Sequence, residues 1–178
     1  MKLEQKLNIL TESKMNKKMA TCYFTYDVSY VHYYVADVNK KFVYAKEEFD
    51  FSIKGNEIRK ISRLKKVNLR NDRTGEINEK KGLTKLLEFP LIDISSWNSI
   101  FNYLYNLDEL VEVECDNDGT SYFGKILTVY KNKILFCDFD ANGTWQEPFI
   151  IHFKDIDGVV WDSWYLNGWK DYFLSELK

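Results

Sequence analysis

Proline is almost missing from this chain, with 2 among 178 residues. Together with many β-branched and aromatic residues, that scarcity points to a compact, strand-rich protein. No stretch approaches the roughly 20 apolar residues of a membrane span. The opening MKLEQKLNILTESKMNKKMA carries a charge every few residues. It therefore lacks the apolar core of a signal peptide, and the expected location is the cytoplasm, with no membrane partner. Only three cysteines are present, Cys22, Cys115 and Cys137, and none lies in a C-x-x-C. Three thiols cannot all pair within one chain, so reduced core thiols are expected.

Histidine is equally sparse. His32 and His152 each sit within a strand pattern among aromatic or aliphatic residues, and both read as structural. A catalytic triad needs a base held by an acid and facing a nucleophile, and no G-x-S-x-G segment supplies one. Neither G-x-x-x-x-G-K-[ST] nor G-x-G-x-x-G occurs, so no phosphate cradle is expected. His and Cys show no metal-ligand spacing. These absences exclude the commonest hydrolases, nucleotide-binding enzymes and zinc modules, and no cofactor is expected.

What the chain has is apolar and aromatic bulk. Hydrophobic residues make up 45% and aromatics 16%, with 12 Tyr, 12 Phe and 5 Trp. A packed core is within reach. Charge is split along the chain. Residues 1–106 hold 19 Lys+Arg against 13 Asp+Glu, whereas residues 107–178 hold 6 against 14. Two structural halves with different surfaces are implied.

Leu3, Leu7 and Leu10 fall on one stripe and predict a helix over 2–13. Short Tyr-, Val- and Phe-rich strands follow: ATCYFTY, VSYVHYYVADV, KKFVYAK, FDFSI and EIRKISRL. NLRNDRTGEINEKKG (68–82) is polar and reads as a linker or loop. SSWNSIFNYLYNL is the clearest helix, with Ser95 or Ser96 as N-cap and Trp97, Ile100, Phe101 and Leu104 as its buried stripe. LVEVEC, TSYFGKILTVY, KILFCDF, PFIIHF and IDGVVW read as strands bounded by turn residues. The aromatic end, DSWYLNGWKDYFLSEL, reads as a helix that Gly168 interrupts.

Each half is thus a helix followed by five short strands. The halves align with Val38 on Val129, FVYA (42–45) on ILFC (134–137) and IRKISRL (58–64) on IHFKDID (151–157). Gly124, inside the second long strand of the later half, marks a sharp bend or bulge of the kind a small barrel needs to close. The pattern G-x-I-x-x-V-x-x-N-x-I-L followed by I-x-x-x-x-I-x-x-V, over residues 95–161, resembles the paired motifs of Sm-like small barrels. It is also similar to a set of small bacterial proteins reading roughly VEVE…GKI…V…DxxG.W…I…dI..V. Residues 2–67 resemble the same layout more weakly.

The expected fold is therefore α+β, mainly β: two tandem helix-plus-five-strand Sm-like, or SH3-like, small barrels. The first occupies 1–67, a charged loop and connector 68–94, and the second 95–178.

The resemblance also implies where RNA would bind, at Lys131-Asn132 and Lys154-Asp155. Asn132 matches the family. The family's acidic and stacking residues in the first loop, and its Arg-Gly pair in the second, have no counterparts here. The basic stretch lies elsewhere, in 54–73, where Lys60, Lys65, Lys66, Arg70 and Arg73 could form a nucleic-acid patch. The acidic charge of the second half disfavours a phosphate-tracking interface there. The tripeptide WYL at Trp164–Leu166 also names a class of Sm-like domain, but here no Arg-rich strand follows it, and it reads as packing.

Asp138, Asp140, Asn142 and Gly143 begin a loop in calcium-binding order, D-x-D-x-N-G. The closing Glu at position twelve is replaced by Phe149, and the flanks read as strands. A polar turn is expected, with Gly143 at positive φ. Asp116 and Asp118, if brought to Asp138 and Asp140, could hold a hard cation or act as acid and base. The aromatic tail, with Trp161, Trp164, Tyr165, Trp169 and Tyr172, either covers a core or forms a partner surface. The expected function is a non-enzymatic cytosolic protein-interaction module with a protein partner. An inhibitor or an immunity-type protein of a phage or mobile element would be an instance. Nucleic-acid binding through 54–73 and an enzyme using the turn carboxylates are the alternatives.

Overall fold

A computed structural model describes residues 1–25, 30–115 and 120–176. The chain is α+β and mainly β, and it divides into two compact units, Met1–Leu91 and Ile92–Lys178. By sequence the first unit holds 19 Lys+Arg against 12 Asp+Glu, a charge of +7. The second holds 6 against 15, a charge of −9.

The first unit begins with helix α1 (Leu3–Asn16). The Lys2 N–H donates to Gln5 Oε1 across its first turn, satisfying an otherwise orphaned donor. Of the leucine stripe, Leu10 is fully buried while Leu3 stays exposed. Five strands follow: β1 (Ala20–Phe24), β2 (Val31–Val38), β3 (Phe42–Phe49), β4 (Ser52–Lys60) and β5 (Leu64–Leu69). They pair antiparallel in the order β5-β1-β2-β3-β4. Leu10 joins Cys22, Phe24, Tyr33, Val35, Val43, Ile61, Leu64 and Val67 in one apolar core.

Residues 68–82, polar enough to read as a linker or loop, instead hold the end of β5 and helix α2 (Thr74–Lys80). A one-turn 3-10 helix over Leu83–Leu86 follows. Local capping and one buried amide explain α2. Asp72 Oδ1 accepts the Thr74 N–H at 2.9 Å. Asn78 is buried and donates to the Tyr34 hydroxyl at 3.2 Å. A single polar anchor leaves no apolar periodicity to read, so the helix was invisible in the hydrophobic pattern.

The second unit opens with α3 (Trp97–Leu107). Ser96 caps it, its Oγ accepting the Ser99 N–H at 3.1 Å. Trp97, Ile100, Phe101 and Leu104 are its buried face, and Phe101 stacks on Phe153. Then come β6 (Val111–Cys115), β7 (Thr120–Val129), β8 (Lys133–Asp138), β9 (Phe149–His152) and β10 (Ile156–Trp161), paired antiparallel as β10-β6-β7-β8-β9. Helix α4 (Trp164–Glu176) ends the unit and runs through Gly168 without a break. One glycine lowers helix propensity but removes no backbone hydrogen bond.

The two units share their pairing register in detail. Adding 91 to the numbers of the first unit lays Val35, Asp37 and Val38 on Ile126, Thr128 and Val129. A one-residue bulge follows, at Ala36 in β2 and at Leu127 in β7. The same shift lays the left-handed residue that ends α1, Lys17 (φ 50°), on the one that ends α3, Asp108 (φ 52°). A second bulge falls at Lys65 in β5 and at Asp157 in β10. The ladders also correct the alignment made from hydrophobicity. Val43 pairs with Val38 and Ile134 with Val129, so FVYA falls on KILF (133–136), one residue earlier than on ILFC.

Candidate functional site

β10 delivers the chain from the sheet into α4. Trp161, the last residue of the strand, is 2% exposed and belongs to the interior. It therefore leaves the set of candidate interface residues, because its pairing with Val111 sets it on the buried side of the sheet. Asp162 then takes a left-handed turn (φ 54°), and the Ser163 hydroxyl accepts the Leu166 N–H at 3.2 Å. This cap starts α4 and sets its phase. Leu166 is buried with Leu110 and Phe139, and Phe123, Trp169 and Phe173 pack against them. The opposite side is left to solvent, with Trp164 at 72% exposure, Tyr165 at 42% and Tyr172 at 43%.

The turn after β8 builds the other wall. Asp140 Oδ1 accepts the N–H groups of Asn142 at 2.8 Å and Thr144 at 3.0 Å. These bonds, Thr144 first, hold the Asp140 carboxyl below its usual pKa. Gly143 has φ 77°, and a Cβ there would come 2.9 Å from Tyr172 and 3.1 Å from Trp169. Glycine is required twice over, for the backbone angle and for the close approach of α4. Phe139 meets Trp169 at 4.9 Å, Phe173 at 5.1 Å and Trp145 at 5.3 Å. Tyr165 meets Phe123 at 5.2 Å.

Between this turn and α4 lies a groove of about 520 Å³, lined by Ala141, Asn142, Trp164, Tyr165, Gly168, Trp169 and Tyr172. Its rings are held edge to face by one another and by α4. Lys170 is turned to Glu109, 2.7 Å from both carboxylate oxygens, and that hydrogen bond raises its pKa.

The D-x-D-x-N-G stretch is thus a self-closed turn. Asp140 Oδ1 is taken up by backbone donors, and the Asp138 carbonyl accepts the Gln146 N–H. Asp116 and Asp118 lie outside the described residues. Among the described residues, no group of three or more His, Cys, Asp or Glu is arranged to hold a metal ion.

The basic candidates are dispersed in role. Lys65 Nζ donates to the Thr25 carbonyl at 3.0 Å, and Lys66 lies over the Tyr23 ring. Lys60 ends β4, and Arg73 is exposed ahead of α2. Arg70 is drawn inward. Its Nη1 reaches Glu48 Oε2 at 3.2 Å, its Nε reaches Asp72 at 2.6 Å, and its Nη2 reaches the Thr74 hydroxyl at 2.8 Å. Asn132 lies in the second unit, in the turn between β7 and β8. Its carbonyl accepts the Phe153 N–H at 3.0 Å, which brings that turn to the 153–155 segment.

Sequence reasoning missed the surroundings of Glu48. This carboxylate is 3% exposed. Besides Arg70 it accepts the N–H of Phe51, which holds the hairpin turn at Asp50 (φ 47°) and Phe51 (φ 62°) in the left-handed region. A buried carboxylate is tolerable only with such partners. His32 sits opposite Glu48 on the neighbouring strand, with Thr21 Oγ1 3.1 Å from its Nδ1 and the Tyr30 ring 4.9 Å away. Partial burial, then Arg70, lowers its pKa against the pull of Glu48 and Asp72. Tyr30, His32, Glu48 and Arg70 line a cleft of about 370 Å³ together with Phe49 and Phe51. Its only sequence signal was the unusual E-E-F-D-F run before Ser52. No helix among the described residues is long and apolar enough to cross a membrane. No family model, no curated protein and no solved structure matches this chain.

Proposed function

We propose that this chain is a non-enzymatic protein-interaction module built from two Sm-like small barrels in tandem. Its binding surface is the solvent side of α4 together with the 140–143 turn. Support for the tandem part comes from the shared strand order and the paired bulges at Ala36 and Leu127 and at Lys65 and Asp157. The observation that carries the functional part is Trp164. A tryptophan 72% exposed at the head of a helix, beside two more exposed tyrosines, leaves a large rigid apolar surface in water. Tyr and Trp are the side chains that dominate interface energetics. The sequence charge of −9 over residues 92–178 favours a basic protein partner. An inhibitor or immunity-type protein acting in the cytoplasm fits such a module.

The test is affinity capture with the intact protein and with Trp164→Ala/Tyr165→Ala. A stoichiometric protein retained by the first and lost by the second supports the reading. If the intact protein captures none, or the double variant retains it equally, the reading falls. Filter binding of single-stranded RNA and of DNA at two salt concentrations runs in parallel. Tight, strongly salt-dependent binding would transfer the function to the basic first unit.

A further inference from the structure

Resting on that reading, we propose that the notch at Gly168 receives an arginine side chain from an extended basic segment of the partner. Gly168 is interior to α4, with helical residues on both sides. Glycine is the least favourable residue in a helix interior after proline. Its usual structural reasons are absent here. It has no positive φ, and a Cβ built on it would find nothing within 4 Å. The space that the missing side chain leaves is the floor of the groove. Trp164 and Tyr165 stand one turn before it and Tyr172 one turn after, with Asn142 across from them.

The chemistry of this notch selects among occupants. Its walls are indole and phenol rings, and its lining carries no cation. Lys170, the helix's own nearby cation, is tied to Glu109. Asp171 is exposed and lies three residues after Gly168, a helical spacing that puts it on the same side of α4. Asp140, one residue before the lining Ala141, is exposed as well. A flat cation can stack on the rings and meet a carboxylate at the edge. Guanidinium does both better than the compact, strongly hydrated ammonium of lysine. The negative charge of the unit adds attraction for a basic chain.

The probe is a fluorescein-labelled Gly-Ser peptide containing spaced arginines, with lysine and glutamine counterparts, read by anisotropy against the full chain. The arginine peptide should bind at least about tenfold more tightly than the lysine peptide, a margin set by ring stacking. Gly168→Leu should weaken it about tenfold by filling the floor, while the melting temperature holds or rises because glycine leaves a helix. Asp171→Asn should reduce both affinity and its salt dependence. Equal affinity for arginine and lysine peptides, or unchanged binding by Gly168→Leu, overturns the inference. So does preferential binding of a neutral oligosaccharide such as cellohexaose. If the peptide fails while Trp164→Ala/Tyr165→Ala still loses the captured protein, the interaction reading stands and only the arginine assignment falls.

Discussion

Replacing Gly124 by alanine would set a Cβ against the Cys137 carbonyl, 2.7 Å from Asp138 Cα and 2.8 Å from Cys137 C. Carbon atoms rest about 3.5–4.0 Å apart, and here the obstacle is backbone. β7 and β8 would have to part by about 1 Å at a point where neighbouring strands normally lie about 4.8 Å apart. The adjacent bond from the Phe139 N–H to the Phe123 carbonyl, now 3.0 Å, would open. One or two ladder hydrogen bonds at about 1 kcal/mol each, added to about 1–3 kcal/mol of overpacking, give a loss of roughly 2–5 kcal/mol. With a urea slope of about 1–3 kcal/mol per molar, the unfolding midpoint should fall by about 2 M. Tryptophan fluorescence is the right assay, since all 5 Trp lie in residues 92–178 and report on the second unit alone. Circular dichroism follows both units. On the shared ladder Gly124 corresponds to Tyr33, which the first unit holds with its full side chain buried. The close approach is therefore particular to the second unit. A midpoint unchanged within error would refute the argument, because it would mean that β8 yields without cost.

Other perturbations separate roles that look alike in sequence. Trp161→Ala should cost about 3–5 kcal/mol in a denaturant melt as a large core truncation. Trp164→Ala should stay within about 0.5 kcal/mol, as an exposed site does; the reverse order would invert the assignment of inside and outside. Ser96→Ala should cost about 1 kcal/mol through the lost cap of α3, read in the same melt, and a neutral result would discount that hydrogen bond. Partial burial, then Arg70, lowers the His32 pKa from its ordinary 6.5 in the folded chain. The unfolded chain therefore binds more protons in the window just below 6.5, and stability is complete above that pH and declines as pH falls toward the folded value. His32→Gln should flatten this part of the stability–pH curve, and an unaltered slope would show that other groups carry it.

Much of the architecture could be read from the chain. In α3 the cap, the apolar stripe and the end follow from residues within eleven positions of one another, and local interactions are what sequence patterns record. The strands of the second unit lie near their alternating, turn-bounded runs, whereas in the first unit FDFSI holds the β3–β4 turn at Asp50 and Phe51 and β5 (Leu64–Leu69) had no run of its own; Gly124 stood out because a bare backbone inside a strand needs a reason. The helix-plus-five-strand order of each unit was visible too, but the register of its ladders was not. Hydrophobicity placed FVYA on ILFC, whereas Val43 pairs with Val38 and Ile134 with Val129 across turns of equal length, which puts FVYA on KILF. Register is a property of the ladder, and a one-residue slip has little apolar signature in a short strand.

The candidate site divides the same way. Composition alone determined that the tail is too aromatic to be all surface, that the two ends of the chain differ in charge, and that the D-x-D-x-N-G turn lacks its closing ligand. Only the tertiary structure decided which rings face water. Only two residues separate Trp161 from Trp164, yet one ends a strand on its buried side and the other heads a helix whose phase is set by the Ser163 cap. Likewise Arg70, one cation among several in a basic stretch, is withdrawn from the surface by Glu48, 22 positions earlier. Sequence determines what a side chain can do. Its partner and its exposure depend on contacts between residues far apart in the chain, and those exist only once the backbone has folded.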